Sequence, residues 1–215
     1  MERVRALMFD FNGTLSHDEP LLCAIYRDLF AKHGRPMTEE QYYSGLAGLA
    51  DEAIIGGWLN IDGPLLGSLI AERIELYAIA AADGSSVSES SRETVRFAAA
   101  HVPVAIVSGA FRAEIVPVVE AAGLLNELTS IIAADDVEHG KPHPEGYLLA
   151  LERLGVRPQE AVAFEDTEAG VAAAKAAGIR CLAVRGTLPD GRLAASDEIV
   201  DSIDVALVER ILEES

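Results

Sequence analysis

The sequence predicts an α/β protein: a parallel-sheet core with a helical cap inserted after the first strand. Three observations carry this. Five apolar runs bounded by Gly, Asp or Ser alternate with helical patterns, as expected of strands covered on both faces by crossover helices. The alternation stops between about residues 16 and 90, where only helical periodicity is found. Half of the 215 residues are hydrophobic, enough for one sizeable domain or a core with a small accessory one.

In chain order, Val4–Phe9 reads as a buried strand, and Asn12-Gly13-Thr14 as a tight loop that lifts Asp10 out of the sheet. Helices are then predicted over Leu21–Lys32, Glu39–Tyr43, Asp51–Trp58 and Pro64–Ala81, with loops at Gly34–Pro36 and Asp83–Ser86. So long an excursion from a sheet predicts a separate subdomain, a lid over the strand ends. The expected division is a core of residues 1–15 and 92–215 and a cap of residues 16–91, with Ser85–Ser91 as a hinge. Strands follow at Val102–Val107, Ser130–Ala134, Ala161–Phe164 and Arg180–Val184. Helices lie between them at Ile115–Ala122, at Glu145–Leu154, and at the small-residue run Gly170–Ala177, with Gly178 as its C-cap. The tail from Arg192 reads as an acidic region ending in the helix Ile203–Leu212, which closes the core.

Acidic side chains number 35 against 17 basic ones, for a net charge of −18. That excludes nucleic acid and anionic membrane surfaces as expected partners, since both need a basic face. Cys23 and Cys181 are far apart and show neither metal-ligand spacing nor a disulfide framework, so a reduced cytoplasmic compartment is expected. No apolar stretch reaches the ~20 residues of a membrane-spanning helix.

Four chemically loaded points stand at the ends of successive strands: Asp10; Ser108-Gly109; Lys141 within Gly-Lys-Pro-His-Pro; and Glu165-Asp166 within Phe-Glu-Asp-Thr-Glu-Ala-Gly. Open parallel sheets carry their sites beyond the carboxyl ends of the strands. Together these residues make a kit for phosphoryl transfer. A nucleophilic carboxylate must approach anionic phosphorus, and Mg²⁺ on a few oxygen ligands removes the repulsion. Asp10 and Asp166 can supply carboxylates, and the residue-12 carbonyl a third oxygen. Ser108 and Gly109 can hold phosphoryl oxygens. Lys141 can pair with both the phosphate and Asp10. Each piece alone is commonplace: a turn, a helix cap, a surface lysine. Four in order are not.

Asp10-Phe-Asn-Gly-Thr-Leu15 and the three later motifs resemble those of the haloacid dehalogenase-like hydrolases, and the resemblance spans the chain. Gly140-Lys-Pro-x-Pro and the Glu165–Gly178 segment are close to the subfamily with a helical cap, which includes β-phosphoglucomutase and small-metabolite phosphatases. The resemblance implies a Rossmann-like core and a small phosphorylated metabolite as substrate. Asp10 would be the nucleophile. Ser108, Gly109 and Lys141 would bind phosphate, and Mg²⁺ would sit on Asp10, the Asn12 carbonyl and Asp166, with Glu165 a second candidate.

The sequence departs from that family at residue 12, where the usual second Asp is an acid and base. Asn12 keeps the shape but exchanges no proton near neutral pH. Three outcomes stay open: hydrolysis with another group moving protons, cleavage of a different bond, or binding of a phosphorylated ligand without turnover. Slow deamidation of Asn12-Gly13 would give a trace of the acid form. Carbon–halogen cleavage fits poorly beside Glu165-Asp166, and carbon–phosphorus cleavage lacks a cap lysine other than Lys32. His17 is a proton-shuttle candidate but reads more simply as a surface residue; His139 and His143 flank Lys141. Where the mutases carry an arginine, the cap has Asp51, which either disfavours a second phosphate or caps the following helix. Tyr42, Tyr43 and Trp58 line a pocket or fill the cap core.

Overall fold

The computed structural model describes residues 3–214. Its core is a six-stranded, all-parallel sheet of order β3-β2-β1-β4-β5-β6. The strands are β1 (Ala6–Phe9), β2 (Val104–Val107), β3 (Ser130–Ile132), β4 (Ala161–Glu165), β5 (Arg180–Val184) and β6 (Glu198–Val200). Winding outward in both directions from β1 places the switch in strand order between β1 and β4, where open α/β sheets carry their ligands. Leu7 lies opposite Val104 on one side and Val162 on the other, so Asp10 emerges between the β2 and β4 loops.

Among the described residues ten α-helices complete the fold: α1 (Glu19–Lys32), α2 (Glu39–Gly45), α3 (Gly57–Leu59), α4 (Gly63–Ala80), α5 (Glu89–Ala99), α6 (Arg112–Ala121), α7 (Glu145–Leu154), α8 (Glu168–Ala176), α9 (Asp190–Leu193) and α10 (Val205–Glu213). Strand alternation assigns the two faces. Met8, Ala105, Ala163 and Ala183 pack with Tyr147 of α7 and Ala173 and Ala174 of α8. Small residues on both surfaces let the alanine-rich α8 approach closely. Leu7, Phe9, Val162 and Phe164 face the other way, against Ala98 of α5 and Val208 and Ile211 of α10. The Phe9 and Phe164 rings stack at 4.9 Å.

α1 to α4 form the helical excursion, knit by Tyr26, Phe30, Tyr42 and Trp58. The chain leaves the core at Ser16–Asp18 and returns beside it: the Ser16 and Ser86 hydroxyls are hydrogen-bonded at 2.8 Å, and the His17 N–H donates to Ser86 O at 2.8 Å. Among the described residues no helix is long and apolar enough to cross a membrane.

Four local expectations need correction. Asp51–Trp58 is not one α-helix but a π turn, Glu52–Gly56, leading into α3, and Asp51 makes no capping bond there. Ser85–Ser91 runs into α5, whose N-cap Ser88 accepts from the Ser91 N–H. The acidic tail holds the short α9 and the strand β6, which a three-residue, half-buried segment such as Glu198–Val200 does not announce by periodicity. Its closing helix is α10, starting at Val205 behind the N-cap Asp204.

Candidate active site

The four strand-end points converge on one cavity of about 530 Å³, roofed by α1, α2 and α4. At its base Lys141 Nζ donates to Asp10 Oδ1 at 2.5 Å and to the Val107 carbonyl at 2.9 Å, and pairs with Glu165 Oε1 at 2.6 Å. Burial alone would lower the Lys141 pKa, but Asp10 and Glu165 outweigh it and hold the ammonium charged.

Glu165 and Asp166 are neighbours with different surroundings. Glu165 is fully buried, its Oε1 accepting from Tyr147 Oη at 2.6 Å. A Cβ on Gly170 would lie 1.8 Å from Glu165 Oε2, so the first turn of α8 needs glycine to seat this carboxylate. Burial pushes Glu165 up to about 7 against the pull of Lys141. Asp166 lines the cavity, accepting from Thr14 Oγ1 at 3.3 Å and from Thr187 Oγ1. Burial first, then the Asp10 and Glu165 charges, drive its pKa well above the usual carboxylate range. Gly13 makes room for it: φ is +76°, and a Cβ there would meet Asp166 Oδ2 at 1.9 Å.

One oxygen from each of Asp10, Glu165 and Asp166 lies within 4.8 Å of the others. Hard oxygen donors that repel one another in a buried site are the donor set of Mg²⁺, so these residues fit that ion. Across the cavity floor, Ser108 Oγ accepts from the Ala110 N–H at 3.1 Å, and Gly109 leaves the β2 loop open to a ligand.

The structure ties Asn12 down. Its Nδ2 donates to Asp18 Oδ2 at 2.9 Å, and that same oxygen accepts from Ser16 Oγ at 2.8 Å and from Tyr77 Oη. A carboxylate only accepts, so the amide nitrogen must face Asp18 and the amide oxygen turns away from it. Burial raises the Asp18 pKa against these three bonds, and its Oδ1 has no partner.

Sequence reasoning missed Glu19, which lines the cavity with Asp10 and Asn12. Burial, abetted by the Asp18 and Asp10 charges, pushes Glu19 up to about 7 although Tyr42 Oη donates to it at 2.8 Å. It also missed Arg73 and Glu114, which form an ion-pair cluster with Asp51 in the cavity wall. Neither carries a local signal. Each is an ordinary residue on an ordinary helix until the cap folds over the core. Of the aromatic candidates, Tyr42 lines the cavity, whereas Trp58 donates to the Arg35 carbonyl at 2.8 Å within the cap. His139 and His143 stand at the cavity rim, both paired with Glu145; His17 is exposed.

A doubly wound sheet with a carboxylate at the end of its first strand, a lysine against it and a second acidic loop beside it is the arrangement of an α/β hydrolase. The chain belongs to the haloacid dehalogenase-like hydrolases, whose family model matches residues 4–178. It is 30% identical over 200 residues to validoxylamine A 7'-phosphate phosphatase of Streptomyces hygroscopicus subsp. limoneus, covering 93% of this chain and 94% of that protein. It is 31% identical over 196 residues to a phosphorylated carbohydrates phosphatase of Thermotoga maritima, covering 88% and 89%. Among solved structures, CbbY from Rhodobacter sphaeroides in complex with xylulose-(1,5)bisphosphate superposes with a TM-score of 0.83 at 28% identity, over 93% of this chain and 95% of that one.

Proposed function

We propose that the protein hydrolyses a small phosphomonoester, with Mg²⁺, through an aspartyl-phosphate on Asp10. The observation that carries this is Asp10 held against Lys141 and grouped with Asp166. That arrangement is suited to a carboxylate that attacks an anion and out of place in a passive binder. The names of the two relatives, both phosphatases of phosphorylated small molecules, support the same reading.

Asp10, Asp166 and the Asn12 carbonyl would hold the metal, which when bound neutralises the phosphoryl oxygens facing Asp10. Glu165 acts through Lys141, fixing its position. In the first step an Asp10 oxygen bonds to phosphorus as the bond from phosphorus to the leaving oxygen breaks. Lys141, Ser108 Oγ and the Gly109 N–H steady the phosphoryl oxygens. In the second, water attacks phosphorus and frees Asp10. Asn12 supplies no proton to either step. We assign that task to Glu19, which gives its proton to the leaving oxygen and takes one back from water; a carboxyl near 7 is poised for both. The cap shelters the intermediate. The two buried, unpaired cysteines fit a reducing, cytoplasmic setting.

The test is Mg²⁺-dependent turnover of an activated aryl phosphate by the native chain and by Asp10→Asn. Activity that needs metal and vanishes in Asp10→Asn upholds the reading. If the native chain shows no turnover while Asn12→Asp does, the natural role is ligand binding or cleavage of another bond.

A further inference from the structure

On the cap side of the cavity the charge of Arg73 is matched by carboxylates on both of its terminal nitrogens, and only Nε lacks a partner. Arg73 of α4 is buried, its side chain 5% exposed, and it is gripped from two sides. Nη2 pairs with Asp51, and Nη1 with Glu114 Oε1, while Nη2 also reaches Glu114 Oε2 at 3.3 Å. Neither partner can swing away freely. Asp51 is held by Tyr26 Oη as well, and Glu114 Oε2 also accepts from the Phe111 N–H at 3.1 Å, which pins it to the start of α6. Seven carboxyl side chains line the whole cavity, against two fixed cations, Lys141 and Arg73. Lys141 is committed to the nucleophile. No free cation among the described lining residues therefore faces the leaving group.

Carboxylates accept hydrogen bonds and donate none, so this wall suits ligand hydroxyl or ammonium groups and repels a ligand phosphate, itself an acceptor. Resting on the phosphatase reading above, we infer that the masked Arg73 restricts the substrate to single-phosphate esters of neutral or amine-bearing polyhydroxylated molecules, and excludes bisphosphates. CbbY, with a similar fold, is known in complex with a bisphosphate. The difference would lie in whether a cation at this end is free.

The test separates binding from turnover. Asp10→Asn is titrated calorimetrically, with Mg²⁺ present, with glucose 6-phosphate, glucosamine 6-phosphate, glucose 1,6-bisphosphate and inorganic phosphate. Both monophosphates are expected to bind more tightly than inorganic phosphate, glucosamine 6-phosphate at least as tightly as glucose 6-phosphate, and the bisphosphate at least ~10-fold more weakly than either. Adding Glu114→Gln, or Asp51→Asn should that variant fail to fold, frees one side of Arg73 and is expected to narrow the gap to less than ~3-fold. A bisphosphate that binds as tightly as the monophosphates overturns the inference, as do monophosphates no tighter than inorganic phosphate. Failure of the phosphatase reading looks different: the binding order holds while the native chain hydrolyses nothing.

Discussion

The two ends of the cavity each bury one cation between two carboxylates, yet they do opposite things. At the base, Lys141 lies between Asp10 and Glu165; at the roof, Arg73 lies between Asp51 and Glu114. The lysine keeps 15% of its side chain exposed, and one of its partners, Asp10, lines the cavity as well. A third carboxylate, Asp166, groups with Asp10 and Glu165 at that end, a donor set that could hold a metal. At the roof the arginine is paired through both terminal nitrogens with partners that are themselves anchored, and only its Nε lacks a partner. Burial works against its charge, but Tyr26, Asp51 and Glu114 hold its pKa above the ordinary guanidinium range. The same local inventory yields a reactive centre where charge is left over, and a structural latch where it is cancelled.

The largest effect expected from this contrast is at the base. Asp10→Asn and Lys141→Ala should each lower phosphatase turnover by ~10³-fold or more; Asp10→Asn should leave the melting temperature nearly unchanged, whereas Lys141→Ala also strips the buried Glu165 of its counter-charge and should lower it. A Lys141→Ala protein that unfolds but stays active until it does so would make the two ends alike. Next comes residue 12. Asn12→Asp should raise turnover of an unactivated alkyl phosphate by ~10²–10⁴-fold, because the new carboxyl, against Asp18, must share a proton with it and so can act as an acid.

At the roof the readout is stability. Arg73→Leu leaves Asp51 and Glu114 buried without a counter-charge and should cost about 3–5 kcal/mol, seen as a melting temperature lower by roughly 10 °C. Replacing all three together by Leu, Met and Leu should cost little or even stabilise. If the triple replacement is as damaging as the single one, the latch is a geometric necessity and not a matter of charge.

The smallest effect concerns Glu19. Its folded pKa, about 7, lies above the ordinary 4.5, so the folded state binds this proton more tightly than the unfolded state. That stability is present at low pH and is lost as pH rises from about 4.5 through 7. In metal-free protein, Glu19→Gln should therefore look more stable relative to the native chain at pH 8 than at pH 5. For an alkyl phosphate, native turnover should fall as pH rises through about 7, and this limb should disappear in Glu19→Gln. A limb that persists would take the proton-carrying role away from Glu19.

The base of the cavity was legible in the sequence because its residues follow strands in order. Asp10, Ser108 and Asp166 stand directly after β1, β2 and β4, Lys141 lies in the longer loop after β3, and parallel strands bring such loops together whatever covers them. What periodicity could not distinguish is which way Glu165 and Asp166 turn; that depends on Gly170 and Gly13, which admit one carboxylate beneath α8 and the other into the loop. The roof was only half legible. Asp51 reads either as disfavouring a second phosphate or as a helix cap, and Arg73 carries no signal at all, because their meeting with Glu114 spans the cap and the core.

The sequence by itself determined the α/β class, the helical excursion after β1 and the order of the loops that line the cavity base, since these follow from hydrophobic period and chain order. Only the tertiary structure decided that Asn12 is tied to Asp18, that Glu19 is pushed up to about 7, and that Arg73 is silenced. Those outcomes depend on burial and on charges a few ångströms apart in space but tens of residues apart in the chain, and no local pattern encodes such distances.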